Sequence, residues 1–360
     1  MRWSLLAALS ASPLVLSALA AFGAAPSPDP VRVSGPVTHA NLTVYFIHGT
    51  SAPGKAPLTL EEALAKRNVE VRETGNVNQL EIENRGNEPV FIQAGDIVKG
   101  GQQDRTLMVS LLLPPKSGRI PIASFCVEQG RWSARGKEDV KTFASASGHV
   151  PSREMKMAMQ APAKAVEPVA NTADPSQRGQ RMAPRAGDDT SVRQGAVWDG
   201  VRKLQSKLAD KVGAPVAAPE SASSLQLALE NKKLATEQKA YVEALKAAGE
   251  ASDDVIGYVF AINGAISSGD VYPSNALFRK MWSKLLNAGA TEAIGHRNDT
   301  AAETPSIEAV NAFLAGAEKG TKNEKPLTAG LRQETREGEK AFMFETAGGS
   351  GFVHRNYLAK

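Results

Sequence analysis

Residues 95–132 read GDIVKGGQQDRTLMVSLLLPPKSGRIPIASFCVEQGRW, in which two apolar runs join two polar, glycine-containing segments. The apolar runs, residues 107–113 and 120–127, lie on either side of the turn sequence PPKSG. Two extended runs around a tight turn predict an antiparallel hairpin. In such a hairpin the start of the first strand lies beside the end of the second, so Arg105 is expected near Cys126 and Glu128.

The residues before this hairpin also favour strands. Extended runs of β-branched, aromatic and aliphatic residues occur at 41–48, 69–72, 79–83 and 89–93. The sequence TLEE at 59–62 is a capping box and predicts a short helix after Thr59. Residues 26–148 are therefore predicted to form a sheet-rich N-terminal part.

The residues after 194 favour helices first and strands at the end. Helical apolar spacing occurs at 198–208, at 224–248, from Ser274 to Gly289 and from Thr304 to Gly320. The pair Asn263-Gly264 between two extended runs is typical of a type I′ hairpin turn. Three terminal strands are predicted at 327–335, 340–345 and 352–357. Because strands cluster with strands, the predicted class is α+β: a sheet-rich N-terminal half, a helical middle and a C-terminal strand–helix–strand portion, residues 195–360.

Two segments have a different composition. Residues 1–25 carry Arg2, an apolar run and an A-x-A site, which predicts an export signal and a periplasmic or extracellular mature protein without a membrane span. Residues 149–194 are rich in Pro, Ala, Gln and Arg and poor in aromatic and branched residues, which predicts a mobile insertion. The single cysteine excludes an internal disulfide.

Composition and motifs exclude several function classes. The net charge of +4 is spread along the chain without a basic stripe, which argues against nucleic acid binding. The five histidines are dispersed, so no metal site is predicted, and the absence of a phosphate loop or dinucleotide motif predicts no cofactor. The phrase VYFIHGTSAPG at 44–54 resembles the entry to an oxyanion loop, but the chain has no G-x-S-x-G elbow to present a serine.

The polar segments of residues 95–132 supply the candidate site. The predicted ligand-binding residues are Asp96, Lys99, Gln102, Asp104, Arg105, Glu128, Arg131 and Trp132. Cys126 and Glu128 are also candidate catalytic groups, since a thiol beside a cation can act as a nucleophile with a carboxylate as proton carrier. The alternative is a buried Cys126 packed as a small apolar residue, with Glu128 in a structural ion pair with Arg105 or Arg131. Of the tryptophans, Trp198 and Trp282 are predicted in the core and Trp132 at the candidate site.

Several phrases together resemble one bacterial family, the proteins associated with ADP-ribosylglycohydrolases and rhodanese-phosphatase proteins. The phrases are PLTLEEAL (57–64), GDIVKGGQQDR (95–105), CVEQGRW (126–132), GAVW (195–198), FAINGAISSGDVYPSNALFRKMWSKLL (260–286) and VHRNYL (353–358). The resemblance covers nearly all of the chain after residue 25 except the insertion. It implies a link to ADP-ribose or related nucleotide metabolism and assigns no catalytic residue.

Three functions are consistent with these features. The first is an exported soluble protein that binds a small polar ligand or a partner through residues 95–132. The second is a hydrolase of a glycosidic or nucleotide-derived bond that uses Cys126 or Glu128. The third is an envelope interaction module that works through the insertion.

Overall fold

The computed structural model describes residues 32–161, 188–298, 302–348 and 351–360. The predicted export signal and residues 162–187 of the predicted insertion lie outside the described residues. No helix in the described part of the chain is long and apolar enough to cross a membrane.

The elements of the first half are mostly short strands. In chain order they are β1 (Arg32–His39), β2 (Leu42–His48), β3 (Leu58–Thr59), α1 (Leu60–Ala65), β4 (Val69–Glu73), β5 (Gln79–Asn84), β6 (Val90–Ile92), β7 (Asp96–Gly100), β8 (Arg105–Leu107), β9 (Leu111–Leu113), β10 (Gly118–Cys126) and β11 (Phe143–His149). The capping box predicted at Thr59 is confirmed, since its side chain accepts from Glu62 N while Glu62 accepts from Thr59 N.

Helices dominate the next part of the chain and strands the last. The elements are α2 (Arg153–Gln160), α3 (Asp188–Val212), α4 (Leu225–Leu229), α5 (Lys232–Gly249), β12 (Val255–Ile262), β13 (Ala265–Val271), α6 (Asn275–Gly295), α7 (Ile307–Glu318), β14 (Thr321–Pro326), β15 (Arg332–Glu337), β16 (Ala341–Gly348) and β17 (Gly351–Ala359). This order of elements confirms the α+β class.

The largest sheet combines strands from both ends of the chain. Its antiparallel order is β1-β2-β12-β13-β17-β16-β15-β14, so β1 and β2 join the C-terminal strands, through the pairing of β2 with β12, and not the rest of the predicted N-terminal part. Asn263 and Gly264 have φ of 48° and 75°, which confirms the type I′ turn between β12 and β13.

All six strands of the second sheet lie within residues 69–149, in the order β11-β7-β8-β10-β5-β4, and β3, β6 and β9 form a third sheet. The predicted strand 107–113 is two strands, because β8 pairs with β10 while β9 pairs with β6. The predicted proximity is confirmed, since Cys126 lies opposite Arg105. The N-terminal half of β10 pairs with β5 and not with β9. The predicted hairpin around the PPKSG turn is therefore wrong.

Helices cover both faces of the largest sheet. Strand β2 is buried along its whole length, with Phe46 facing α6 and Tyr45 facing α7. Trp282 of α6 is fully buried against aromatic rings of β2 and β12, which confirms its assignment to the core. Trp198 is only partly buried, because it lies beside the apolar face of α3 and not on it. That face consists of Val197, Val201, Leu204 and Leu208.

Some predicted boundaries were wrong. The helix at 224–248 is two helices, because Asn231 caps the start of α5. The cap of α7 is Ser306 and not Thr304. Residues 327–331 form a turn between β14 and β15, and β14 was missed because all its residues are exposed and carry no apolar pattern.

Both ends of the predicted mobile insertion, residues 149–161 and 188–194, include regular structure. Ser152 caps α2, and Met155 and Met159 are buried, since they lie one helical turn apart and face the core. Gln194 in α3 donates to Cys126 O and accepts from Cys126 N. Residues 150–161 and 188–194 therefore pack against the rest of the protein through a few well-spaced contacts.

Candidate functional site

The predicted polar segments meet in a buried network of charges. Asp104 and Glu128 are both inaccessible to solvent. Arg135 donates to Asp104 Oδ1 at 2.9 Å and to Glu128 Oε1 at 3.2 Å, and Arg131 Nε donates to Glu128 Oε1 at 2.7 Å. Asp104 N donates to Glu128 Oε2 at 2.8 Å, so the backbone ties the two carboxylates together. We call these four side chains the Asp104–Glu128 network.

The guanidinium groups of this network are occupied by protein acceptors. Arg131 also donates to the carbonyl oxygens of Gly100, Gly101 and Ser133, and Arg135 also donates to Glu138. A groove of about 960 Å³ passes beside both arginines. Because both guanidinium groups donate to carboxylates or carbonyl oxygens of the protein, the network holds two loops together and its charges are paired.

Of the two partners predicted for Glu128, the structure has Arg131 and not Arg105. Arg105 is buried on β8 and its Nη2 lies 3.3 Å from Glu73 Oε2. Its Nη1 donates to Gln103 and contacts the sulfur of Cys126. Glu73 comes from β4, a strand that sequence spacing did not connect with Arg105.

Cys126 has the environment of a packed apolar residue. The side chain is buried, and burial raises its pKa to about 11 in spite of the neighbouring Arg105. The thiol is therefore protonated at neutral pH, whereas a nucleophile requires a thiolate. Glu128 accepts from two arginines and a backbone amide, so its oxygens are committed to the network.

The remaining predicted residues lie apart from this network. Lys99 donates to both carboxylate oxygens of Glu230, at 2.8 and 2.7 Å. Gln102 is partly buried, and its backbone amide donates to Glu73. Trp132 is 56% exposed. The structure thus divides the predicted patch into separate environments.

Asp96 belongs to a second buried group that sequence analysis missed. Lys284 Nζ of α6 donates to Asp96 Oδ1 at 3.1 Å, and His149 Nδ1 at the end of β11 lies 3.5 Å from the same oxygen. Burial raises the pKa of Asp96, but Lys284 and His149 outweigh burial and hold it below the ordinary value. Burial lowers the pKa of His149 in spite of Asp96, which favours a neutral imidazole.

A further set of polar side chains lies in the core on β13 and β17. His354 Nε2 lies 3.2 Å from Asp270 Oδ1, and its Nδ1 lies 3.0 Å from Ser110 Oγ. Asn356 Nδ2 donates to the same Asp270 oxygen at 2.9 Å, and Tyr258 OH donates to its other oxygen. Asp270 and His354 lie in the phrases GDVYP and VHRNYL, and alternation along a strand could not show which face each occupies.

A cleft of about 440 Å³ opens beside His149 and Lys284. Both polar and apolar side chains line it, including Gln226, Glu230, Gln238, Thr291, Leu229 and Val242. Among the described residues, the buried atom Gln226 Oε1 has no hydrogen-bond partner, and the nearest acceptor to His149 Nδ1 is Asp96 Oδ1 at 3.5 Å. We call this feature the His149 cleft.

The described residues contain no group of three or more His, Cys, Asp or Glu side chains placed to hold a metal ion. No curated protein and no solved structure matches the chain. The family model for the ARG and Rhodanese-Phosphatase-superfamily-associated Protein domain matches residues 30–359. That span includes the Asp104–Glu128 network, the His149 cleft and all three sheets. The chain therefore belongs to the ARG and Rhodanese-Phosphatase-superfamily-associated Protein family.

Proposed function

We propose that this protein binds a small polar ligand in the His149 cleft. The observation that carries the proposal is the buried atom Gln226 Oε1, which lacks a hydrogen-bond partner among the described residues. A buried polar atom without a partner costs about 1–3 kcal/mol, and a bound donor would recover that cost. Ligand sites combine apolar walls with a few such convergent polar groups.

The chemistry of the wall indicates the class of ligand. Gln226 offers an amide oxygen, and the neutral His149 offers a ring nitrogen as donor or acceptor. Lys284 and Glu230 are neutralised by Asp96 and Lys99, so the cleft carries little uncompensated charge. A ligand with several hydroxyl or amide groups, such as a sugar, a nucleoside or the ribose portion of a nucleotide, suits this lining.

Of the predicted residues, Asp96 and Lys99 have a supporting part in this proposal. Asp96 holds His149 and Lys284, and Lys99 holds Glu230 at the cleft wall. The carboxylates and guanidinium groups of the Asp104–Glu128 network bind one another and have a structural role. A hydrolase based on Cys126 or Glu128 is not proposed, because the thiol is protonated and the carboxylate is fully bonded.

The test is a thermal-shift screen of the wild-type protein with sugars, nucleosides, ADP-ribose and amino acids. A ligand at 100 times its Kd adds about 2.7 kcal/mol to the native state, enough to raise the Tm measurably. Protection should disappear in Gln226→Leu and persist in Trp132→Ala, which alters the exposed part of residues 95–132. Protection that is lost in Trp132→Ala and kept in Gln226→Leu would place the ligand outside the cleft.

We also propose that the mature protein is exported. The support is the sequence of residues 1–25, in which Arg2 precedes an apolar run and an A-x-A site. The test is fractionation of cells that express the full chain, with N-terminal sequencing of the product. An uncleaved chain confined to the cytoplasm would overturn export and leave the ligand proposal unaffected.

A further inference from the structure

A serine, a histidine and an aspartate meet at the end of the largest sheet. Ser34 lies on β1, His48 is the last residue of β2, and Asp254 immediately precedes β12. Ser34 Oγ lies 2.6 Å from His48 Nε2, and His48 Nδ1 lies 2.7 Å from Asp254 Oδ1. Three segments distant in sequence therefore form one continuous chain of hydrogen bonds.

The ring nitrogens are arranged as a charge-stabilised base requires. The carboxylate holds Nδ1, so the proton sits there and the lone pair of Nε2 points at the serine hydroxyl. The core set of Ser110, His354 and Asp270 has the opposite arrangement, with Nδ1 toward the hydroxyl. Ser110 Oγ also accepts from Ala94 N and is buried, so that set cannot meet a substrate.

Asp254 is held as a carboxylate. Hydrogen bonds from Ser252 and His48 lower its pKa well below the ordinary value, and Arg32 adds a donor at 3.3 Å. The charge of Asp254 is thus available to stabilise a protonated His48 ring during proton transfer.

Ser34, His48 and Asp254 differ in solvent exposure. His48 is largely buried, with 9% of its side chain exposed, while 48% of the Asp254 side chain is exposed and Ser34 is half-buried. Strand β1 is the outer strand of its sheet. Ser34 thus keeps part of its surface in contact with solvent at the sheet edge, while the His48 ring is held by its two hydrogen bonds.

We propose that Ser34, His48 and Asp254 form a hydrolytic site for short-chain carboxylic esters. Ser34 Oγ attacks the ester carbonyl carbon while its proton passes to His48 Nε2. The bond from that carbon to the alcohol oxygen then breaks, and His48 returns the proton to the departing alkoxide, which leaves as an alcohol. A water molecule next gives a proton to His48 and attacks the acyl-serine, which releases the carboxylic acid and restores the Ser34 hydroxyl.

The position of the site favours small acyl groups. An outer strand offers an open approach and not a long enclosed channel, so an ester with a short acyl chain and a good leaving group fits best. This activity is independent of ligand binding in the His149 cleft, since the two sites share no residue.

The first test is covalent labelling of the wild-type protein with a fluorophosphonate, followed by mass spectrometry of the labelled peptide. We expect one adduct, on Ser34, and slow hydrolysis of p-nitrophenyl acetate. Absence of an adduct on Ser34, when a known serine hydrolase reacts in parallel, would overturn the proposal. Labelling at another serine would do so as well.

Variants then separate catalysis from a structural link between strands. Ser34→Ala should abolish labelling and hydrolysis, and Asp254→Asn should lower the hydrolysis rate by about 10⁴-fold, the effect of the wrong histidine tautomer in a Ser-His-Asp site. Thr38→Val is the matched control, because Thr38 is also on β1 and its hydroxyl bonds across to Thr43 at 3.0 Å without a histidine. It should keep full activity. A lower Tm with unchanged hydrolysis in both Ser34→Ala and Asp254→Asn would show a purely structural role.

Discussion

Replacing Glu128 by glutamine should destabilise the protein by about 3 kcal/mol, the lower end of the usual cost of breaking a buried ion pair. Glu128 is inaccessible to solvent and accepts from Asp104 N, Arg131 Nε and Arg135 Nη1. In the variant the amide oxygen replaces only one carboxylate oxygen, so the amide nitrogen faces either the two guanidinium donors or the Asp104 N–H donor. Arg131 still has carbonyl acceptors and Arg135 still has Asp104, which limits the loss.

The matched control is Glu138→Gln. Glu138 also accepts from Arg135, at 3.0 Å, but 21% of its side chain is exposed. Its replacement should cost about 1 kcal/mol or less, as for other solvent-accessible pairs. Urea unfolding at pH 7 measures both changes, with an unchanged m-value as the check that only stability has moved. Equal losses in the two variants would contradict a buried, structural network.

The pH dependence gives an independent check. Burial would raise the pKa of Glu128, but hydrogen bonds led by that from Arg131 outweigh burial and hold the pKa below its ordinary value. A lowered pKa in the folded state contributes stability above the unfolded value of about 4.3 and loses it as the pH falls through the folded value. The difference in unfolding free energy between wild type and Glu128→Gln should therefore shrink between pH 7 and pH 3. A constant difference would refute the assignment.

Three further predictions test other parts of the fold. Trp282→Ala should cost about 3–5 kcal/mol in a denaturant melt, because it empties a fully buried aromatic site, and an unchanged melt would contradict that packing. The Cys126 thiol, with its pKa raised to about 11, should resist iodoacetamide at pH 8 until the protein is unfolded. Gly101→Ala should destabilise more than Gly130→Ala: both glycines have positive φ, but an added Cβ would lie 2.6 Å from Phe143 at Gly101 and in open space at Gly130. Equal melting temperatures for the two alanine variants would contradict the close contact between Gly101 and Phe143.

Sequence alone indicated much of the local structure correctly. The capping box at Thr59, the Asn263-Gly264 turn and the apolar face of α6 depend on residues within a few positions of one another. Local backbone preferences and helical periodicity are sufficient for such features. The proximity of Arg105 to Cys126 also followed, because adjacent antiparallel strands place those positions opposite each other.

Only the tertiary structure decided which buried charges meet. The partner of Arg105 is Glu73 on β4, the partner of Asp96 is Lys284 on α6, and His48 meets Asp254 some two hundred positions later in the chain. Local periodicity assigns a side chain to a face of a strand or helix but says nothing about which distant face covers it. Pairing between distant strands depends on how much apolar surface the whole faces of those strands bury. For this reason β1 and β2, as a pair, join β12 and not the strands that follow them in the chain.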